Sequence, residues 1–172
     1  DSIDAHIYDD DEYYLMGEVL FDPWIGKEIQ LDLKVFLEGP FDAGEMTTSL
    51  NPADIPLTQP YSTAPWNYSG TESIAAMPNT DVVDWVLIEL RDTTEPAFAS
   101  GATMIAQQAV LLLKDGYVVG LNGADNARVV PTGQISDSLF VVIWHRNHLG
   151  ILSANALIES GGVYSYDFSS GV

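Results

Sequence analysis

Apolar and polar side chains alternate strictly along residues 28–37. A period of two residues places successive side chains on opposite faces, so this stretch predicts a β-strand with one buried face and one solvated face. The predicted buried positions are Ile29, Leu31, Leu33, Val35 and Leu37.

Two further segments carry strong strand signals. Residues 82–90 are apolar on both faces apart from Asp84 and Glu89, which predicts a central strand. Asp115-Gly116 stands between the apolar runs of residues 109–121 and predicts a hairpin whose turn residues both have positive φ. Further strands are predicted at residues 13–20, 139–145, 151–158 and 163–168, the last two joined across Gly161-Gly162.

The steady spacing of these short strands, with turn residues between them, predicts an all-β fold. We expect an antiparallel β-sandwich of the jelly-roll or Ig-like kind. Residues 39–81 do not fit this pattern, because they hold six of the nine prolines and no long strand signal. A structureless excursion of that length is uncommon in a compact domain, so we expect an ordered cover over one end or face of the sandwich. The expected anchors of this cover are Phe41, Tyr61, Trp66 and Tyr68.

The amino-terminal residues 1–12 form a separate unit in the pattern. Three apolar residues alternate with polar ones before a run of four acids at residues 9–12, which predicts a short strand and an acidic hinge ahead of a single sandwich domain at 13–172. The three apolar residues of this arm are Ile3, Ala5 and Ile7.

Such an arm can add as a donor strand to the open sheet edge of a neighbouring copy. Repeated head-to-tail addition does not close on itself and therefore builds a filament. Two other interpretations stay open: the arm pairs within its own domain as an edge strand, or it belongs to a linker from a preceding domain.

Charge narrows the classes of partner. Twenty-five acids face six bases among 172 residues, giving a net charge of −19 and a pI near 4.1. A phosphate backbone or an anionic lipid surface needs a basic patch, so we expect neither nucleic acid nor anionic membrane as a partner. The same charge favours solubility and attracts divalent cations.

The residue inventory bears on cofactors and compartment. With no cysteine and three histidines, the chain is not expected to hold a zinc or thiolate site; no cofactor is expected beyond possible calcium. No apolar run reaches the roughly 20 residues of a membrane-spanning helix. The sequence begins at Asp1 without methionine, from which we expect a processed or excised chain whose signal peptide, if any, has been removed.

Several long strings resemble an uncharacterised β-rich module of large secreted and surface proteins of the Bacteroidetes, often labelled hemagglutinin-like or adhesin-like. They occupy residues 33–50 (LKVFLEGPFDAGEMTTSL), 55–92, 105–123 and 137–157 (DSLFVVIWHRNHLGILSANAL). The resemblance implies a secreted or cell-surface protein and transfers no enzymatic activity. Members often continue into acidic dockerin-like repeats that bind calcium; this sequence contains none, so calcium binding through them is not carried over.

The main candidate for chemistry is the segment VVIWHRNHLGILS at residues 141–153. Catalysis would need a nucleophile within hydrogen-bond reach of a histidine that a carboxylate orients, and neither G-x-S-x-G nor H-E-x-x-H is present. His145 and His148 supply at most two metal ligands. We therefore expect a structural corner in which Arg146 pairs with an acid and the histidines bond loop carbonyls.

Carboxylates and aromatic rings provide the other binding candidates. Asp84 and Glu89 lie five residues apart on one predicted strand, so they face opposite ways and cannot form the acid pair of a glycosidase; Arg91 is a possible partner. Trp66 and Tyr68 either offer a stacking platform to sugars or anchor the cover. Weak calcium candidates are Asp9, Asp10 and Asp11.

Short motifs suggest covalent modification of an exported protein. Three Asp-(Ser/Thr) motifs resemble the O-glycosylation motif used in the Bacteroidetes, with Ser2, Thr93 and Ser138 as acceptors, and Asn67 begins a formal N-glycosylation sequon.

The residues and the resemblance together favour a non-catalytic extracellular module with a structural or adhesive role, which associates with copies of itself. A carbohydrate- or calcium-binding surface module is the first alternative, and an exposed aromatic platform or a cluster of carboxylates would distinguish it. A hydrolase is the second alternative and would need two acids converging in a cleft.

Overall fold

The computed structural model describes residues 27–170, which form eleven strands and two short 3₁₀ turns at Pro96–Phe98 and Gly101–Thr103. The strands are β1 Ile29–Lys34, β2 Phe41–Asp42, β3 Glu45–Met46, β4 Val82–Thr93, β5 Met104–Leu113, β6 Val118–Val119, β7 Ala127–Val129, β8 Ser138–His145, β9 His148–Leu152, β10 Ile158–Ser160 and β11 Val163–Asp167. Within this part of the chain, no helix is long and apolar enough to cross a membrane.

The strands form two main sheets and a small β2–β3 hairpin. The first sheet has the order β10-β11-β1-β7, and the second has the order β6-β5-β4-β8-β9. All pairings are antiparallel except β1 with β11, which run parallel with Leu31 opposite Tyr164. The predicted all-β sandwich is confirmed. The parallel pair corrects a fully antiparallel expectation, because alternation specifies the face of a side chain and not the direction of its neighbour.

The main core lies between the two sheets. Buried and half-buried residues alternate along β1, as predicted, and the alternation continues to Leu37. Its buried side chains pack against apolar residues of the second sheet such as Val86, Ile88 and Val110. The apolar stripe of residues 28–37 therefore forms one wall of this core.

A second core lies on the outer face of the second sheet, under residues 39–81. Tyr61 and Ile55 of this segment pack with Trp85 and Leu87 of β4. The predicted ordered cover is confirmed, and it lies over a face of the sheet. Because β4 is the middle strand and is covered on both faces, residues 82–90 are all buried, as the apolar run predicted.

Two glycine-containing turns close hairpins. In the β5–β6 hairpin only Gly116 has positive φ (90°), so the expectation of positive φ at both turn positions is wrong. The Gly116 N–H donates to Leu113 O and the Leu113 N–H to Tyr117 O, which makes a three-residue loop ending in a left-handed glycine. Between β10 and β11, Gly161 and Gly162 both have positive φ, as a two-residue hairpin turn requires.

The predicted strand at 151–158 is wrong, because the chain changes sheets within it. β9 ends at Leu152, and the Ser153 and Leu157 N–H groups then donate to carbonyls of β8 before β10 begins in the other sheet. β9 and β10 are the outermost strands of their sheets. We call this side, formed by β9, residues 153–157 and β10, the open side of the sandwich. The strand predicted at 13–20 lies outside the described residues.

Candidate functional site

The polar corner at the end of β8 is built around Asp84, a fully buried residue of β4. Its Oδ1 accepts a hydrogen bond from the Trp85 N–H at 2.8 Å. Its Oδ2 lies 3.1 Å from His145 Nε2 and accepts from Arg146 Nε at 2.9 Å. The turn between β8 and β9 therefore folds back onto a single carboxylate of the central strand.

The two histidines of this corner contact each other directly. His145 Nδ1 accepts from the Asn147 N–H at 3.2 Å and lies 2.8 Å from His148 Nδ1. Because His145 Nδ1 is an acceptor, its Nε2 carries the hydrogen that Asp84 accepts, and His148 must donate through Nδ1. The chain of hydrogen bonds thus runs from His148 through His145 to Asp84.

Burial and charge set the ionisation of this chain. Burial raises the pKa of Asp84, but the hydrogen bonds from His145 and the Trp85 amide and the charge of Arg146 outweigh it, so the net pKa is lowered. Burial and the neighbouring His145 lower the pKa of His148. At neutral pH the corner therefore holds an ionised Asp84 carboxylate and an uncharged His148 imidazole.

The contacts of the polar corner connect β4 to the end of β8. Arg146 pairs with an acid, as predicted, but the histidines bond each other and Asp84 instead of loop carbonyls, so that part of the expectation is wrong. A buried carboxylate is a stronger acceptor than a loop carbonyl, which explains why His145 bonds Asp84. Within residues 27–170, neither imidazole hydrogen-bonds a hydroxyl side chain, and no group of three or more His, Asp or Glu residues is placed to hold a metal.

Glu89 forms a second polar network on the opposite face of β4. It accepts from Arg91 Nε at 2.7 Å and from Trp144 Nε1 at 3.0 Å, and Arg91 also donates to Ala99 O. The predicted pairing of Glu89 with Arg91 is confirmed, as is its separation from Asp84. Asp84 and Glu89 therefore bind separate sets of side chains and do not form a pair.

The aromatic rings of the cover lie against the sheet. Tyr68 is buried and its hydroxyl donates to Glu72, while Trp66 is half-buried and packs edge-on to Tyr61 at 5.1 Å between centroids. Trp66 and Tyr68 therefore do not form an exposed platform, and the anchoring interpretation describes their contacts. Phe41 lies apart from these rings at the β2–β3 hairpin and is exposed.

A cluster that the sequence analysis missed lies at the far end of the first sheet. The rings of Phe36 and Phe41 meet edge-to-face at 5.0 Å, and Lys34 Nζ lies 5.4 Å from the centroids of both Phe36 and Tyr117. We call Lys34, Phe36, Phe41 and Tyr117 the aromatic corner. A local signal existed, since Phe36 is an aromatic residue at a predicted solvated position of residues 28–37.

The candidate modification sites differ in access. Thr93 is 6% exposed at the end of β4, so its hydroxyl is hardly accessible in the folded chain, and the Asp92 carboxylate beside it accepts the Ser136 and Asp137 N–H groups. Ser138 is half-exposed opposite Thr93, and Asn67 is exposed. The remaining predicted positions lie outside the described residues: Ser2, Ile3, Ala5, Ile7, Asp9, Asp10 and Asp11.

Comparison of the chain with protein-family models, with curated proteins and with solved structures finds no match. The resemblance to a surface-protein module stays an expectation. The functional conclusions below rest on the residues and contacts of this chain.

Proposed function

We propose that this chain is a non-catalytic structural or adhesive module of the cell surface or extracellular space, which associates with copies of itself by strand addition. The open side of the sandwich is the observation that carries this proposal. Among the described residues, β9 and β10 each have a single neighbouring strand. Leu149 of β9 is 95% exposed and Ile158 of β10 is 70% exposed. Unpaired strand edges with exposed apolar side chains are templates for another strand.

A groove between the two sheets adds to this support. It has a volume of about 490 Å³ and is lined in part by Ile29, Leu139, Leu157 and Tyr164, which belong to the main core or pack against it. A strand that alternates apolar and polar residues can place its apolar side chains in such a groove while its backbone pairs with an edge. The arm at residues 1–12 has that alternation.

The polar corner supports a structural role. His145 is buried and uses both ring nitrogens within the protein, so it has no free atom to offer a substrate. Its partner Asp84 accepts three hydrogen bonds from the chain itself. A general base would need to reach a substrate proton within about 3 Å.

The first test compares the size of the intact chain with that of a chain lacking residues 1–12. We expect the intact protein to form concentration-dependent assemblies in light scattering and filaments in negative-stain images. We expect the shortened protein to stay monomeric with an unchanged unfolding midpoint. Monomers in both cases, up to the highest soluble concentration, would contradict strand addition.

Point variants then locate the two surfaces. Ile3→Asp places a charge on the predicted apolar face of the arm, and Leu149→Lys places one on the open side; each is expected to abolish assembly. Phe98→Lys is the matched control, because Phe98 is 61% exposed on a 3₁₀ turn that belongs to neither edge. If the Leu149→Lys variant assembles and the Ile3→Asp variant does not, the arm is needed but β9 is not the strand that accepts it.

A further inference from the structure

The aromatic corner is unexplained by the strand-addition proposal. Phe41 and Tyr117 are 46% and 43% exposed, and Phe36 is half-buried beside them. The corner lies at the end of β1, where Lys34 bridges to Tyr117, and it contains no residue of β9, 153–157 or β10. Contiguous exposed apolar patches are often binding sites, whereas single exposed rings are ordinary.

Two hairpin turns hold these rings in place. A side chain at Gly116 would put its Cβ 3.0 Å from the Phe36 ring, so only glycine lets this ring lie over the turn, and positive φ requires glycine there as well. Phe41 belongs to the β2–β3 hairpin, whose turn residues Ala43 and Gly44 both have positive φ. The buried Met46 of the same hairpin donates its N–H to Lys114 O.

Hydrogen-bonding groups lie between and beside the rings. Within the described residues, the Lys34 ammonium makes no ion pair and sits between the rings of Phe36 and Tyr117. Asp32 lies on the same face of β1, and Asp167 of β11 is the register partner of Lys34. The patch thus combines apolar ring surface with the Lys34 donor and the Asp32 carboxylate, whereas the Oδ1 of Asp167 already accepts from the Ser169 N–H and hydroxyl.

We propose that the aromatic corner is a binding site for neutral polysaccharide. Pyranose rings carry apolar C–H faces that pack on aromatic side chains, and their hydroxyls match the Lys34 donor and the Asp32 acceptor. An apolar helix or strand would leave Lys34 and the carboxylates without partners. The net charge of −19 and these two carboxylates exclude anionic polymers as good ligands.

This site does not depend on self-association, since it uses neither the arm nor the open side. The test is affinity electrophoresis of the intact chain in native gels that contain a soluble neutral polysaccharide: mixed-linkage β-glucan, galactomannan or xylan. Gels with alginate, an anionic polysaccharide, run beside them. At least one neutral polymer is expected to retard the protein in proportion to its concentration, and alginate is not.

Substitutions assign the retardation to the corner. Tyr117→Ala and Phe41→Ala each remove an exposed ring and are expected to weaken binding by about tenfold, which is about 1.4 kcal/mol. Tyr117→Phe keeps the ring and is expected to keep most of the affinity. Phe98→Ala removes a ring elsewhere and is expected to change nothing.

Three results would overturn the assignment. If none of the neutral polysaccharides changes the mobility of the protein, the proposed ligand is wrong. If both alanine variants are still retarded, binding occurs somewhere other than the aromatic corner. The third is a fall in assembly size in Tyr117→Ala without any sugar present, which would make the corner a contact between copies of this chain. Circular dichroism of each variant checks that it is folded.

Discussion

Gly150 lies directly under the indole ring of Trp144 on the edge strand β9. A Cβ at this position would approach the ring to 2.3 Å, and the ring cannot move freely because its Nε1 donates to Glu89. Gly150→Ala is therefore expected to lower the free energy of unfolding by about 1–3 kcal/mol, measured by urea denaturation. Gly133→Ala is the control, since a Cβ there meets nothing within 4 Å. Equal stability of the two variants would show that the indole position is not fixed.

The half-buried His148 makes stability depend on pH. The pKa of His148 is lowered by burial and by His145, so the unfolded chain takes up a proton at higher pH than the folded chain does. The stabilising contribution is thus present above the ordinary pKa near 6.5 and is lost as pH falls through the folded value.

We expect the free energy of unfolding to decrease as pH falls from 7.5 to about 5, measured by urea titration at several pH values. His148→Asn keeps a donor near the Nδ1 position but does not titrate, so its curve is expected to be flatter over the same range. If the two curves have the same slope, the pH dependence comes from other groups.

At this scale the sequence shows which residues carry charge but not what they touch. His145 and Asp84 are 61 residues apart, and Tyr117 and Lys34, which also meet, are 83 residues apart. Arg146 was expected to pair with some acid because a half-buried guanidinium needs one. The identity of that acid follows only from the pairing of β4 with β8.

At the scale of elements, the cover is tied to the central strand β4 by a buried side-chain hydrogen bond. The β4–β8 ladder begins at Leu87 opposite Trp144. Just beyond it, the buried Tyr61 hydroxyl donates to Trp85 O at 2.8 Å, and Trp144 O lies 3.4 Å from the same hydroxyl. Burial raises the pKa of Tyr61, so the hydroxyl remains a donor across the accessible pH range. The cover therefore completes the hydrogen bonding of the central strand.

Tyr61→Phe removes this hydroxyl and takes away the hydrogen bond that the buried Trp85 carbonyl accepts. We expect a loss of about 1–3 kcal/mol in the free energy of unfolding, because an unsatisfied buried polar group keeps its full desolvation cost. Tyr117→Phe is the matched control, since Tyr117 is exposed and its hydroxyl makes no hydrogen bond to another described residue. If Tyr61→Phe leaves the free energy of unfolding unchanged, a water molecule replaces the hydroxyl as the donor.

Element prediction succeeded where one face or both faces of a strand are buried over its full length. The alternation in residues 28–37 and the apolar run in 82–90 match β1 and β4 because their burial is uniform. The strand predicted at residues 151–158 is wrong because the chain leaves one sheet and joins the other within this stretch, so one apolar run spans the end of β9 and the start of β10. A cover of 43 residues could be foreseen from its prolines, but the face it covers could not.

In the whole molecule, the layers are asymmetric. Cover, second sheet and first sheet stack in that order, and the main core is bridged near Lys34 and Tyr117 but left open between β9 and β10. The aromatic corner and the open side therefore consist of different residues. The two proposals can be tested separately for this reason.

Net charge decides how the proposed assembly responds to salt. Copies that each carry −19 repel one another, and this repulsion extends about 30 Å at 10 mM salt but only about 3 Å at 1 M. Strand addition through backbone hydrogen bonds and apolar side chains does not need attraction between charges. We therefore expect the concentration at which the intact chain assembles to fall as sodium chloride rises from about 10 mM to about 500 mM, measured by light scattering. Assembly that dissolves in salt would instead indicate ion pairs between copies, with the acids at residues 9–12 as their first candidates.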